Sequence, residues 1–449
     1  MGETLLGQLA AFTIESNYDA LPEAVQQQGR RALVNWVGSV FGGANTDTVN
    51  AAIKGAHALG SQGPALLFAR REHLGMPDAA LINCMGGQSQ SFDDTDLRTL
   101  AHPTGPAAAA VFAATATRKV SGREAMHAIL LGMELQCRVS LAIVRGGTHP
   151  GWYMTGLTGG IGAAAAVGKL LGLDQPSMTS ALALAVAQAC GTRATHGSMA
   201  AALVPALGAR NGLNSAFMAA SGFTCSAWAL DGKNSLLQVL DATGSEAVAC
   251  DRLGSHYEVL MNTYKPFPTA IVIQPAIDAC LRLKRRLGFG TAQVASLDLQ
   301  VHPRGIDLGG LKSPRDYVEA QTSMLHWVTI ALEHGRASVE HEMPETSETE
   351  ALRALKSRIS MRADDALAPD QARATLRLAD GSVHVEEIEH AVGSQLNPMT
   401  DVQLEEKFTS LCNRILSPAG TTQLWQHCWH IAELADAAAL PAAASLQPV

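Results

Sequence analysis

Helix-length apolar segments recur through the first 268 residues, and no other feature restricts the fold as much. In Leu21–Phe41, Leu21, Ala24, Val25, Ala32, Leu33, Trp36, Val37 and Val40 fall at helical spacings. Pro22 suits the start of that helix, and the polar stretch Gln26–Arg31 interrupts its pattern. Thr48–Leu59, Met76–Cys84, Gly105–Thr115, Ser121–Val139, Gly156–Leu171, Ser177–Cys190, Gly208–Ser221 and Leu236–Leu240 continue the series. The Gly and Ala content of Gly156–Leu171 lets helices pack with their backbones close. Glu134 and Arg138 are four apart, which is the spacing of a pair across one helical turn.

After Tyr264–Pro268 the texture changes. Ile271–Leu283 reads as a helix and Ala292–Val301 as a strand. Ser323–Glu333 is an apolar helix. Ala374–Leu378 and Val383–Ile388, joined through Asp380-Gly381, read as a hairpin, and Leu404–Leu416 as another helix. The fold class expected is mainly α: a large all-helical domain with a smaller α/β lid. The boundaries expected are residues 1–268 for the helical domain, 269–398 for the α/β domain, and 399–449 for helices that return to the first. A chain of 449 residues is long for one domain.

Composition removes several function classes. The formal net charge is -8, with no long basic run, so a nucleic-acid partner is not expected. Charged residues make up only 16% of the chain, which favours apolar surface buried between subunits and a homodimer as the simplest assembly. None of the eight cysteines forms a CxxC, which points to a reducing compartment. The N-terminal segment from Met1 to Pro22 lacks the pattern of a secretory signal. The Ala-rich runs Ala107–Ala116 and Ala163–Ala166 look too short, or too broken by Gly and charge, to span a bilayer. The expected location is cytoplasmic, without a membrane partner.

Four segments concentrate polar groups within apolar surroundings. The first runs from Ser91 through Asp93, Asp94, Thr95 and Asp96 to His102-Pro103. Its acids either cap a helix or serve chemistry. The positive end of a helix favours a neutral imidazole, which can accept a proton. The second, Gly146–Tyr153, holds another His-Pro pair at His149-Pro150, and two such loops suggest either paired imidazoles in one pocket or two capping histidines. The third places Arg193 and His196 three apart beside Gly197; Arg193 is suited to a bidentate carboxylate contact or to a structural ion pair. The fourth, Tyr264–Pro268, fixes Lys265 between an aromatic ring and prolines, as a carboxylate ligand or an ordinary linker lysine.

Familiar signals are absent. There is no GxxxxGK[ST], HExxH or GxSxG, and no GxGxxG follows a strand. Asp93, Asp94, His102 and His149 have metal-ligating side chains, but their loops lack a recognised ligand spacing, so no metal site is assigned.

At these same residues the chain resembles the MmgE/PrpD family. The resemblance lies in FDDTD with AHPTG at 92–105, THPG at 148–151 with GKLLGLD at 168–174, and GTRATHGSM at 191–199. It continues in RNG at 210–212, SGFT at 221–224, YKPFP at 264–268, QPAIDA at 274–279 and EAQTSMLHWV at 319–328. The resemblance implies a large helical domain with a smaller α/β lid, a homodimer and no cofactor. It implies action on small di- or tricarboxylates by moving a proton beside a carboxylate, with loss of water or CO2, or with epimerisation. The matching positions are Asp93, Asp94, Thr95, His102, His149, Arg193 and Lys265.

The chain also departs from the family pattern. A Lys and a His usual after the 191–199 motif correspond to Ala201 and Val204, and a following Gly to Ala206. A usual His is Gln274, a Tyr common in several members is His326, and the His usual after Asp-Asp-Thr is Asp96. His196 and His326 are candidates to replace part of what is lost at the substrate.

The mechanism expected has Arg193 and Lys265 hold carboxylate oxygens. One of His102 and His149 takes the proton alpha to the carboxylate, and the other, or an Asp of the 93–96 cluster, protonates the leaving hydroxyl. The function expected first is a cofactor-independent lyase of the dehydratase type. Behind it stand an epimerase or isomerase, then a decarboxylase, and, from another class, a non-catalytic protein that binds small acids.

Overall fold

The computed structural model describes residues 4–446. Residues 1–3, where the reading for a targeting signal begins, and 447–449, the end of the C-terminal segment, lie outside the described residues. The chain divides into two compact units. One comprises residues 1–89, 93–262 and 401–449, and the other residues 90–92 and 263–400.

The first unit is helical. Its elements include α1 (Leu5–Glu15), α2 (Glu23–Gly43), α3 (Asp47–Ala58), α4 (Met76–Gln88), α5 (Thr104–Ala114), α6 (Gly122–Gly146), α7 (Met154–Leu171), α8 (Gln175–Val186) and α9 (Ala200–Ala220). The polar stretch 26–31 does not interrupt α2. Gln26, Arg30 and Arg31 are half-buried on its outer side, while Gly29 lies against Met126 and Leu130. Helix α6 begins with a capping box: Ser121 accepts from the Glu124 N–H, and the Glu124 carboxylate accepts from the Ser121 N–H. It stops at Gly147, whose φ of 90° is left-handed.

Small residues bring α6, α7 and α9 together. A Cβ on Gly162 would fall 2.5 Å from the Gly132 carbonyl oxygen, and one on Gly212 would fall 2.5 Å from that of Gly160. Any larger side chain at these crossings would force the helices apart. By length and composition α6 and α7 are apolar enough to cross a membrane, contrary to the reading of the Ala163–Ala166 run. The run belongs to an 18-residue helix in which Gly replaces bulk without adding polarity. In both helices 89% of the apolar window is buried inside the structure, as befits core helices.

One buried ion pair ties α6 to the loop that follows α9. Arg138 Nε donates to Glu134 Oε1 at 2.6 Å, and both side chains are buried. Arg138 also donates to the carbonyls of Ala249, Asp251 and His256, and Glu134 accepts from the backbone N–H groups of Glu258 and Val259. The C-terminal segment rejoins this unit: Asp401 pairs with Arg31 of α2, and Lys407 donates to Asn35 Oδ1 at 2.7 Å.

The second unit is built on a four-stranded sheet. Val294–Val301 pairs parallel with Ile359–Ala363 and antiparallel with Ala372–Leu378, which pairs antiparallel with Val383–Ile388. The hairpin between the last two strands turns at Gly381, with a φ of 86°. Leu297, Leu299, Leu376, Ile277, Cys280 and Trp327 share one apolar core between the sheet and the helices Gln274–Leu287 and Met324–His334. The molecule is thus mainly α with a smaller α/β unit.

Candidate functional site

The Asp93–His102 loop connects α4 to α5, and its side chains have distinct tasks. Asp94 completes the start of α5. Its Oδ2 accepts from the Thr104 N–H at 3.2 Å, the Thr104 hydroxyl at 2.5 Å and the Asn262 amide at 2.6 Å. Helix α5 has no other side-chain cap. Burial pushes the Asp94 carboxyl above its ordinary range, against the Thr104 and Asn262 hydrogen bonds, while Asp93 adds to the rise. Asp94 is a helix-capping residue first.

Asp93 meets His102 instead. Its Oδ2 lies 2.5 Å from His102 Nδ1. That nitrogen also lies 2.8 Å from the Asp94 carbonyl oxygen and 3.2 Å from Thr95 Oγ1. Three oxygens around Nδ1 favour a proton on that atom and leave the lone pair on Nε2. The Nε2 atom has no partner among the described residues, and the side chain keeps 13% of its exposure. The His102 backbone is held from two helices: its N–H donates to Thr155 Oγ1 of α7 at 2.9 Å, and its carbonyl accepts from Gln136 of α6 at 3.3 Å. An acid, an oriented imidazole and a free Nε2 make a proton-transfer pair.

Asp96 stands apart. It forms an ion pair with Arg98, which also pairs with Glu258 at 2.7 Å. The departure from the usual His at this position is therefore matched by a structural charge network.

The second and third segments are laced together. Arg193 N–H donates to the Gly151 carbonyl at 2.8 Å, Tyr153 N–H to Gly191 at 3.1 Å, and Cys190 N–H to Gly156 at 3.2 Å. Arg193 Nη1 donates to the Pro150 carbonyl at 3.2 Å. Val204 fills the space beneath this seam. A Cβ on Gly191 would meet Val204 Cγ1 at 2.3 Å, and one on Gly156 would meet it at 2.5 Å. The apolar residue at a usual His position is thus packed under the Arg193 loop.

The aromatic ring of the second segment completes the cluster. Tyr153 is buried at the start of α7, its ring edge-on to His102 at 6.1 Å and tilted against His196 at 4.9 Å. Burial holds its phenol well above the usual range; Asp93 and Cys84 push the same way, and Arg193 pulls back. Tyr153, Thr155 and Asn262 were missed in the sequence. Tyr153 lies in the singled-out segment, yet His149 there carries the more familiar chemistry.

The remaining expected residues are placed differently. His149 is exposed, and its Nδ1 accepts from the Gly151 N–H at 3.0 Å. Among the described residues no hydrogen bond, ion pair or ring contact joins it to His102. Lys265 and His326 belong to the second unit. Lys265 is buried there. His326 is fully buried, with Nδ1 2.8 Å from Ser347 Oγ and Nε2 2.8 Å from the His341 carbonyl oxygen. With both ring nitrogens occupied, its polarity is spent within the fold. Gln274 is also internal: it donates to the Phe267 and Thr269 carbonyls and accepts from the Phe267 N–H. Among the described residues no group of three His, Cys, Asp or Glu side chains is placed to hold a metal ion.

Comparison with known proteins also divides the chain shortly before residue 267, but carries its second part past residue 400. The MmgE/PrpD N-terminal domain model matches residues 7–246, and the MmgE/PrpD C-terminal domain model matches residues 267–431. The chain belongs to the MmgE/PrpD family. Its curated relatives include cis-aconitate decarboxylase of Aspergillus terreus, 27% identical over 46% of this chain and 43% of that protein. The human cis-aconitate decarboxylase is 28% identical over 47% of this chain and 45% of its own length, and the mouse protein 24% over 60% and 56%. The chain spans about half the length of the curated relatives it matches. The MmgE/PrpD N-terminal match contains the whole cluster around His102 except Asn262.

Proposed function

We propose that this protein is a lyase of the dehydratase type, acting on a small di- or tricarboxylic acid with its own side chains as acid and base. His102 Nε2 takes the proton alpha to a carboxylate, and Asp93 stabilises the imidazolium that forms. Arg193 holds carboxylate oxygens, and positioned donors offset the enolate-like charge that develops. The observation that carries this reading is the 2.5 Å approach of Asp93 Oδ2 to His102 Nδ1, with Nε2 left without a partner among the described residues.

A second reading is decarboxylation of such an acid. It is favoured by the relatives, which are cis-aconitate decarboxylases. Incubation with citrate, malate, fumarate and cis-aconitate in D2O, followed by NMR with measurement of released CO2, separates the two. Gain or loss of water without CO2 supports the dehydratase, and stoichiometric CO2 supports the decarboxylase. Absence of turnover and of exchange across the panel would refute both.

We also propose a cytoplasmic homodimer. Eight free cysteines and the low charge fraction of 16% support it, and sedimentation equilibrium on the purified chain tests the assembly.

A further inference from the structure

We propose that Tyr153 is the general acid of the same site and protonates the departing hydroxyl. The inference rests on the dehydratase reading above and deepens it. His102 accounts for one proton in an elimination. The leaving hydroxyl needs another, and the residues first considered for that task do not reach it: His149 is exposed without contact to His102, and Asp94 is engaged with Thr104 and Asn262.

Tyr153 meets the geometric requirement. Its ring stands edge-on to His102 at 6.1 Å and packs tilted against His196 at 4.9 Å. Its backbone is fixed, since the N–H donates to Gly191 and the carbonyl accepts from Gly156 at the start of α7. The side chain is only 6% exposed, yet the hydroxyl has no hydrogen-bond partner among the described residues. A buried ring ending in an unpartnered hydroxyl is suited to meeting a bound molecule.

The electrostatics support the same direction of transfer. Burial keeps the phenol protonated at neutral pH, so it acts as donor rather than base. Hydroxide is a stronger base still, the pKa of water being about 15.7, so donation to the departing oxygen remains favourable. Arg193 favours the phenolate that results.

The step balances. Nε2 of His102 takes the alpha proton, and the C–H electron pair becomes the C=C bond. The C–O bond breaks with its pair on oxygen, and the Tyr153 proton makes that oxygen water. Phenolate and imidazolium are left, and proton transfer between them through solvent restores both groups.

The test is Tyr153→Phe on the panel acid that loses water, against its analogue carrying fluorine in place of the hydroxyl. Fluoride leaves as an anion and needs no proton. The hydroxy substrate is expected to lose turnover by roughly 10²-fold or more. Fluoride release should stay within about threefold of wild type. A merely structural role would lower both rates together, and that result would overturn the proposal. So would unchanged loss of hydroxyl. A wild type that dehydrates nothing on the panel would instead remove the underlying lyase reading, and Tyr153's role with it. Tyr153→His, which supplies another acid on a shorter ring, is expected to recover part of the hydroxy activity with a lower-pH optimum.

Discussion

Asp93 Oδ2 lies 2.5 Å from His102 Nδ1, while the Asp94 carbonyl oxygen lies 2.8 Å from the same nitrogen. The backbone acceptor orients the ring, and the carboxylate places a negative charge beside it. The two contributions separate by mutation. His102→Gln is expected to lower kcat/KM by about 10²–10⁴-fold. Asp93→Asn keeps the carbonyl contact and should lose less, about 10²-fold, mostly in kcat. Steady-state kinetics on the panel acid checks both, and equal losses in the two variants would contradict this division by making the carboxylate as indispensable as the imidazole itself.

Asn262 supports Asp94 from across the first unit. Asn262→Ala removes a 2.6 Å hydrogen bond from a buried carboxyl and should cost about 1–3 kcal/mol of stability. The Asp94 carboxyl is already raised by burial, so the stability tied to it is present below its unfolded value and is lost as pH rises through the folded value. The loss in the variant should therefore be larger at pH 7 than at pH 4. Urea unfolding at the two pH values measures this.

His326 gives an acid limit to stability. Burial lowers its pKa from 6.5 to about 4, and neither ring nitrogen is open to water. Its contribution is present above pH 6.5 and is lost as pH falls through 4. The loss amounts to about 3 kcal/mol, from about 1.36 kcal/mol per pKa unit. His127, also lowered to about 4 by burial, acts with the same sign. In His326→Asn the unfolding free energy should fall less steeply between pH 6.5 and 4, and denaturant titrations across that range show the difference.

Arg138→Leu should leave Glu134 buried without its counter-charge and release three carbonyls of the loop after α9. The expected cost is about 3–5 kcal/mol. A thermal melt should fall by many degrees, with faster amide exchange at Glu258 and Val259, whose N–H groups Glu134 holds.

Much of this fold was legible because helical spacing and cap residues coincide. Pro22 and Ser121 marked the starts of α2 and α6 near where they lie, whereas α6 runs on to Gly146, past the expected end at Val139. Legibility failed where one face hides the signal. Helix α9 begins at Ala200, ahead of the expected Gly208, because Pro205 and the run of small residues disguise its first turns. Ile359–Ala363 went unread since its residues are half-buried or exposed and show no alternation. At the site, Asp93, Thr95 and His102 were readable from one contiguous loop. Tyr153 was not, because its nearness to His102 depends on how α7 meets α5 and α6. His326 misled for the opposite reason: its partners, Ser347 and the His341 carbonyl, come from a later loop.

The most direct measurement is deuterium incorporation alpha to the carboxylate of the panel acid, followed by NMR in D2O for wild type, His102→Gln and His149→Gln. Wild type and His149→Gln are expected to exchange at comparable rates, and His102→Gln at least 10²-fold more slowly. Exchange that survives in His102→Gln and disappears in His149→Gln would contradict the assignment of the base to the Asp93–His102 pair.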